Sequence, residues 1–92
     1  MRAIERTSAF KKDLKRELKG LHRKTLEAEL KVVLDLLTAD AIMPARYEDH
    51  PLTGEWRGYR DCHVKPDLVL IYRKEGKDVL RLDRLGSHSE LF

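Results

Sequence analysis

The spacing of apolar residues changes period once along this chain, and that single change limits the folds open to it. Phe10, Leu14, Leu18 and Leu21 recur at intervals of three and four with charged residues between them, and Leu26, Leu30, Leu34 and Leu37, widened by Val33, repeat the stripe to about Ala39. Such spacing keeps one face of an α-helix apolar. Ser8 is the expected N-cap of the first helix and Gly20 its stop, so a helical hairpin is expected. A short strand at Ala3 to Arg6 is expected before it. Beyond Gly58 the period is two. Tyr59 to Val64 places Tyr59, Asp61 and His63 on one face of a strand and Arg60, Cys62 and Val64 on the other. Lys65 and Pro66 mark a turn, and Leu68 to Tyr72 is apolar on both parities, as in the middle of a sheet covered on both faces. A turn containing Gly76 leads into Val79 to Leu85. These connections are too short for crossovers. The expected class is therefore α+β, a small antiparallel meander with the two helices on one face, in one domain spanning residues 1–92.

Between the two regimes, from Asp40 to Gly58, no period holds, and Pro44, Pro51, Gly54 and Gly58 punctuate the segment. It reads as one long loop. Loops of that length inside small domains usually carry function, and the bulk of Tyr47, His50 and Trp56 argues that this one is ordered.

Charged residues make up 38% of the sequence, well above the roughly 25% of an average globular chain. Net charge is only +3, yet residues 11–24 hold seven basic and two acidic residues, whereas residues 25–55 hold two basic and seven acidic. Lys11, Lys12, Lys15, Arg16, Lys19, Arg23 and Lys24 are suited to a phosphate-facing stripe, since backbone phosphates attract cations whatever the sequence. The same run also describes an ordinary solvated helix face. A single cysteine, Cys62, forms no internal disulfide, and neither a secretory signal nor a membrane-length apolar run is legible. The expected home is the cytoplasm, with no membrane partner.

Cleaving RNA without a metal requires a base for the 2′-hydroxyl, an acid for the leaving 5′-oxygen and cations around the phosphate. Histidine suits both proton roles near neutral pH. His50 lies in the long loop, His63 on the polar strand face and His88 in the final segment, while His22 reads as surface. Asp61 shares a strand face with His63, close enough to orient or charge it, although any half-exposed strand alternates in this way. No HxxxH or CxxC spacing supports a metal, and neither a glycine-rich phosphate loop nor a nucleophile elbow is present. No metal or cofactor is expected, and Cys62 is expected to be an inert buried thiol.

The run Tyr47-Glu48-Asp49-His50-Pro51-Leu52, followed by Gly54, Trp56, Gly58-Tyr59-Arg60-Asp61, His63-Val64, Pro66-Asp67 and Leu70-Ile71-Tyr72, and then by Arg84, Gly86, His88 and Leu91-Phe92, resembles the YafQ-like branch of the RelE toxin superfamily. The resemblance runs through the C-terminal half; the helical half agrees in length and pattern. It implies a small antiparallel sheet with helices on one face. It also implies an endoribonuclease that cleaves mRNA in the ribosomal A site without metal and is silenced by a cognate antitoxin. Carried over by position, His50, His63, Asp67 and His88 form the acid and base set, with Asp61 in support. Arg84 stabilises the phosphate and Phe92 positions a base, with rRNA of the 30S subunit as a further contact. Strand parity sets Arg84 with Leu80 and Leu82 toward the helices unless the strand twists or bulges before Gly86.

The same superfamily includes ParE-like toxins that bind DNA gyrase and have no nuclease chemistry. The histidine and aspartate set, which a gyrase binder does not need, separates the two. A noncatalytic RNA-binding domain is the third reading, and a neighbouring antitoxin reading frame would argue against it.

Overall fold

The computed structural model describes residues 1–92, with strand β1 (Ala3–Arg6), helices α1 (Ser8–Leu18) and α2 (Leu26–Thr38), strands β2 (His50–Pro51), β3 (Arg60–Lys65), β4 (Leu68–Glu75) and β5 (Val79–Gly86), and a last helical turn, α3 (His88–Leu91). The leucine stripes do what their spacing predicts. Phe10 of α1 and Leu26, Leu30, Val33 and Leu37 of α2 are buried against Cys62, Val64, Leu70, Tyr72, Leu80, Leu82 and Leu85 of the sheet. Removing these side chains from water is the main force holding the helices to the sheet. Leu21 departs from the stripe. The helix stops at Leu18, capped by Lys19, and Leu21 is left exposed in the turn that follows. No helix is long and apolar enough to cross a membrane.

The cap of α1 is Thr7 rather than Ser8. β1 ends at Arg6, so Thr7 is the extended residue before the first turn, and its hydroxyl accepts from the Phe10 amide at 3.0 Å. That hydroxyl also donates to the Asp83 carbonyl of β5 at 2.8 Å.

The sheet runs β1-β5-β4-β3-β2. β3 to β5 form the expected antiparallel meander and the unexpected β2 extends it antiparallel, but β1 pairs parallel with β5, Ala3 beside Val79 and Arg6 beside Leu82, so the sheet is mixed. Both helices and three strands intervene between β1 and β5, ample chain for a parallel return. Arg2 fixes the strand's entry through Asp40, which also takes Lys74; these two hydrogen bonds hold the Asp40 carboxyl down at about 2.

The long loop carries structure of its own. It contains two 3-10 turns, Ala45–Tyr47 and Gly54–Trp56, and between them the two-residue edge strand β2, where Pro51 is tolerated because the outer side of the strand needs no donor. Asp49 anchors it by accepting from the Tyr72 hydroxyl and, at 3.2 Å, from Arg60. On the sheet face away from the helices a smaller apolar cluster forms: Val69, Ile71 and Leu91, flanked by Leu52, Trp56 and Tyr59.

Candidate active site

The sheet register sets the site. His50 pairs with Asp61, Asp61 with Ile71, and Ile71 with Arg84, a single row across β2, β3, β4 and β5 on the face opposite the helices. Arg84 belongs to that row because β5 carries a bulge: Tyr72 pairs with Leu82 but Ile71 with Arg84, leaving Asp83 as the extra residue whose carbonyl Thr7 takes. Leu80, Leu82 and Leu85 face the helices, and the added residue turns Arg84 to the open face. In the neighbouring row His63 pairs with Val69 and Val69 with Gly86.

Asp61 is the buried centre, only 2% exposed. Burial pushes its carboxyl above the ordinary value, and the charges of His50, His63 and His88 pull it back, so all three imidazoles lie within electrostatic reach. His50 Nδ1 is 3.1 Å from Asp61 Oδ1, but its proton goes to the Glu48 carbonyl at 2.8 Å, and Asp61 Oδ1 has no hydrogen-bond partner. A buried carboxylate oxygen in that condition costs stability. His63 Nδ1 donates to the Pro66 carbonyl at 3.2 Å. A carbonyl only accepts, so both histidines carry a hydrogen on Nδ1 and leave Nε2 as the nitrogen available to a substrate.

His88 opens α3. Ser87 caps this turn reciprocally with Glu90, and Leu91 seats it on Val69 and Ile71. Phe92 is not part of the core. It is 49% exposed, and its ring lies 4.8 Å from that of His88 at a 35° tilt. The capping pattern Ser87-x-x-Glu90 was the sequence signal for this element, and period analysis passes over so short a helix.

Arg84 sits in the row, but its guanidinium is turned to the sheet edge, where Nε and Nη2 donate to Asp13 of α1 at 2.7 and 3.2 Å. Asp13, 3% exposed, also accepts from the Leu85 amide at 3.0 Å and from Arg16. Burial alone would raise the Asp13 carboxyl; the hydrogen bonds from Arg84 and Leu85 and the charges of Arg84 and Arg16 outweigh it and hold the group below 3.8. Nothing in the periodicity marks Asp13, because a buried aspartate among lysines looks like one more surface charge.

Asp67 is not brought to the histidine group. It is exposed in the β3–β4 turn and pairs with His22 at 3.0 Å. Lys11, Lys12 and Lys15 lie exposed along α1, whereas Arg16 is engaged by Asp13, Glu17 and, at 3.6 Å, Glu90. Cys62 is fully buried and its thiol pushed up by burial, so it is no nucleophile.

Over residues 2–92 the sequence matches the family described as bacterial toxin of type II toxin-antitoxin system, YafQ. It is 44% identical over 92 residues to the mRNA interferase toxin YafQ of Escherichia coli strain K12, covering 99% of this chain and 96% of that protein. Its fold is similar to that in the crystal structure of the E. coli DinJ-YafQ complex, with a TM-score of 0.83, 43% identity and coverage of 100% and 99% of the two chains. It is also similar to a metal-bound toxin from Helicobacter pylori, with a TM-score of 0.85, 44% identity and complete coverage of both chains. In this chain no three His, Cys, Asp or Glu side chains gather closely enough to hold a metal ion. His50 and His63 commit Nδ1 to carbonyls and keep Nε2 open, but Asp67 turns to His22, so these side chains are not gathered into one ligand set. With a match to nearly every residue and a common fold, the chain belongs to the YafQ family of type II toxin-antitoxin toxins.

Proposed function

We propose that this toxin is a ribosome-dependent endoribonuclease that cuts mRNA in the A site of the 30S subunit by histidine acid-base chemistry, without metal. The observation that carries the reading is the buried Asp61 carboxyl beneath three histidines. One imidazole Nε2 takes the proton of a 2′-hydroxyl and O2′ bonds to the adjacent phosphorus. The P–O5′ bond breaks, and a second, protonated imidazole gives its proton to O5′. The products are a 2′,3′-cyclic phosphate and a 5′-hydroxyl. Asp61 places a negative charge where positive charge develops on an imidazole during proton transfer. Arg84 offers its remaining N–H groups to the crowded phosphate, and Phe92 positions a base beside His88. Asp67 joins the set when it releases His22.

The exposed lysines Lys11, Lys12 and Lys15, with Arg16, suit rRNA or mRNA phosphates. In the cytoplasm a cognate antitoxin with an acidic segment covers these groups or displaces the C-terminal turn, in keeping with the complex of YafQ and DinJ from E. coli. Primer extension on an mRNA under translation tests the reading. Stops at the A-site codon are expected only when ribosomes are present. Full-length products in both conditions, with DNA gyrase inhibited instead, would overturn it.

A further inference from the structure

His63 has a second neighbourhood. Away from Asp61 it walls a cleft of about 310 Å³, whose other sides include Glu29 of α2, Arg46 and Tyr47 of the first 3-10 turn, and Lys65 and Pro66 where β3 ends. Its size falls at the lower end of the roughly 300–1,000 Å³ of ordinary ligand sites. Neither cation in it makes an ion pair, although six of the other nine arginines do. Arg46 is held in place all the same. Its guanidinium lies 4.8 Å over the ring of Tyr47 and donates to that residue's hydroxyl at 2.8 Å, and Tyr47 is only 3% exposed, hence fixed.

We propose that this cleft is a nucleotide subsite for the mRNA residue next to the scissile linkage, with Arg46 and Lys65 taking its phosphate. The proposal rests on the nuclease reading above, because His63 is the residue that joins the cleft to the reaction. A guanidinium held against a ring keeps its remaining N–H groups for phosphate oxygens, and a planar fork suits phosphate better than a mobile ammonium. Lys65, beyond the irregularity between His63 and Lys65, adds a second cation on the same strand as the base or acid. Glu29 is the one carboxylate in the cleft and is suited to accept from a ribose hydroxyl or a base amine. Two unpaired cations against one carboxylate, walled by a reacting histidine, favour a nucleotide of the substrate itself.

The test is single-turnover cleavage of ribosome-bound mRNA by the wild type and by Arg46→Gln/Lys65→Gln, which keeps the side-chain stems and is expected to melt with the wild type. The mRNA carries neutral methylphosphonates, one at a time, on either side of the scissile linkage. On unmodified mRNA the double variant is expected to be about tenfold to a hundredfold slower at subsaturating toxin. One methylphosphonate is expected to slow the wild type comparably and the double variant no further. Three results overturn the proposal: wild-type rates in the double variant; a slow variant that still feels every methylphosphonate, which would assign the cations to rRNA; or normal cleavage with lost antitoxin binding, which would assign them to the antitoxin. Failure of the wild type to cut unmodified mRNA would instead count against the nuclease reading itself.

Discussion

Asp13 on α1 and Arg84 on β5, 71 residues apart in sequence, are joined by two hydrogen bonds across the free edge of the sheet. β1 covers β5 only as far as Leu82, and past the bulge at Asp83 the Asp13 carboxylate takes over, satisfying the Leu85 amide and gripping Arg84 together. One buried side chain thus closes the edge and fixes the one arginine aligned with Asp61.

Replacing Asp13 by Asn keeps an acceptor for the Leu85 amide but removes the charge. The loss is expected to be about 1–3 kcal/mol, below that of a fully buried pair because Arg84 is partly exposed. In a domain of this size that lowers the melting temperature by roughly 4–8 °C per kcal/mol. The sign with pH follows from the depressed carboxyl: its contribution is present above 3.8 and is lost as the pH falls through the lower folded value. Melting curves of wild type and Asp13→Asn should therefore converge in acid below pH 3.8. A gap that stays constant into strong acid contradicts the assignment.

Asp61 is expected to behave in the opposite way. Burial raises its carboxyl above 3.8, so the folded state holds the proton more tightly than the unfolded chain, and stability falls as the pH rises from 3.8 through the raised folded value. At neutral pH Asp61→Asn should melt no lower than the wild type, while cleavage falls by about a hundredfold or more. A variant that loses stability and activity in parallel would make Asp61 a structural residue only.

The last two residues divide their work. Leu91 is buried and Phe92 is half exposed beside His88. Leu91→Ala should cost about 2–5 kcal/mol of stability. Phe92→Ala should barely change melting yet slow cleavage by about 1–3 kcal/mol, roughly five to more than a hundredfold. A large melting shift in Phe92→Ala with full activity at low temperature would refute the assignment.

Toxin stripped with EDTA and then freed of the chelator is expected to cleave mRNA on intact ribosomes at the untreated rate, since the donors around Asp61 do not converge on one point. Activity lost on stripping and restored by zinc alone would show that they rearrange around an ion.

The helices, β3, β4 and β5 were legible because burial enforces periodicity: Leu30 or Leu70 has no alternative face. Local chemistry failed where tertiary contacts decide. Leu21 obeys the helical spacing yet lies beyond the helix end, and β1 pairs parallel with a strand 76 residues away, Ala3 beside Val79, which no local pattern encodes. His50, Asp61, His63 and His88 stood out in the sequence as candidates by residue type; that the three imidazoles lie within electrostatic reach of Asp61 is set by strand register and the last helical turn, which no local pattern encodes. The bulge at Asp83, which turns Arg84 outward, is met by Thr7, and the pairing of Asp67 with His22 joins the β3–β4 and α1–α2 turns, which no period relates. Asp13 stayed hidden because its partner lies 71 positions along the chain.

The central claim is that a 2′-hydroxyl attacks the phosphate under control of the histidines around Asp61. The most direct measurement uses ribosome-bound mRNA with a single 2′-deoxy substitution at the nucleotide that supplies the hydroxyl. No cut at that linkage is expected, while the unmodified mRNA yields a 2′,3′-cyclic phosphate end. Cleavage of the deoxy-substituted linkage at the unmodified rate would contradict the mechanism.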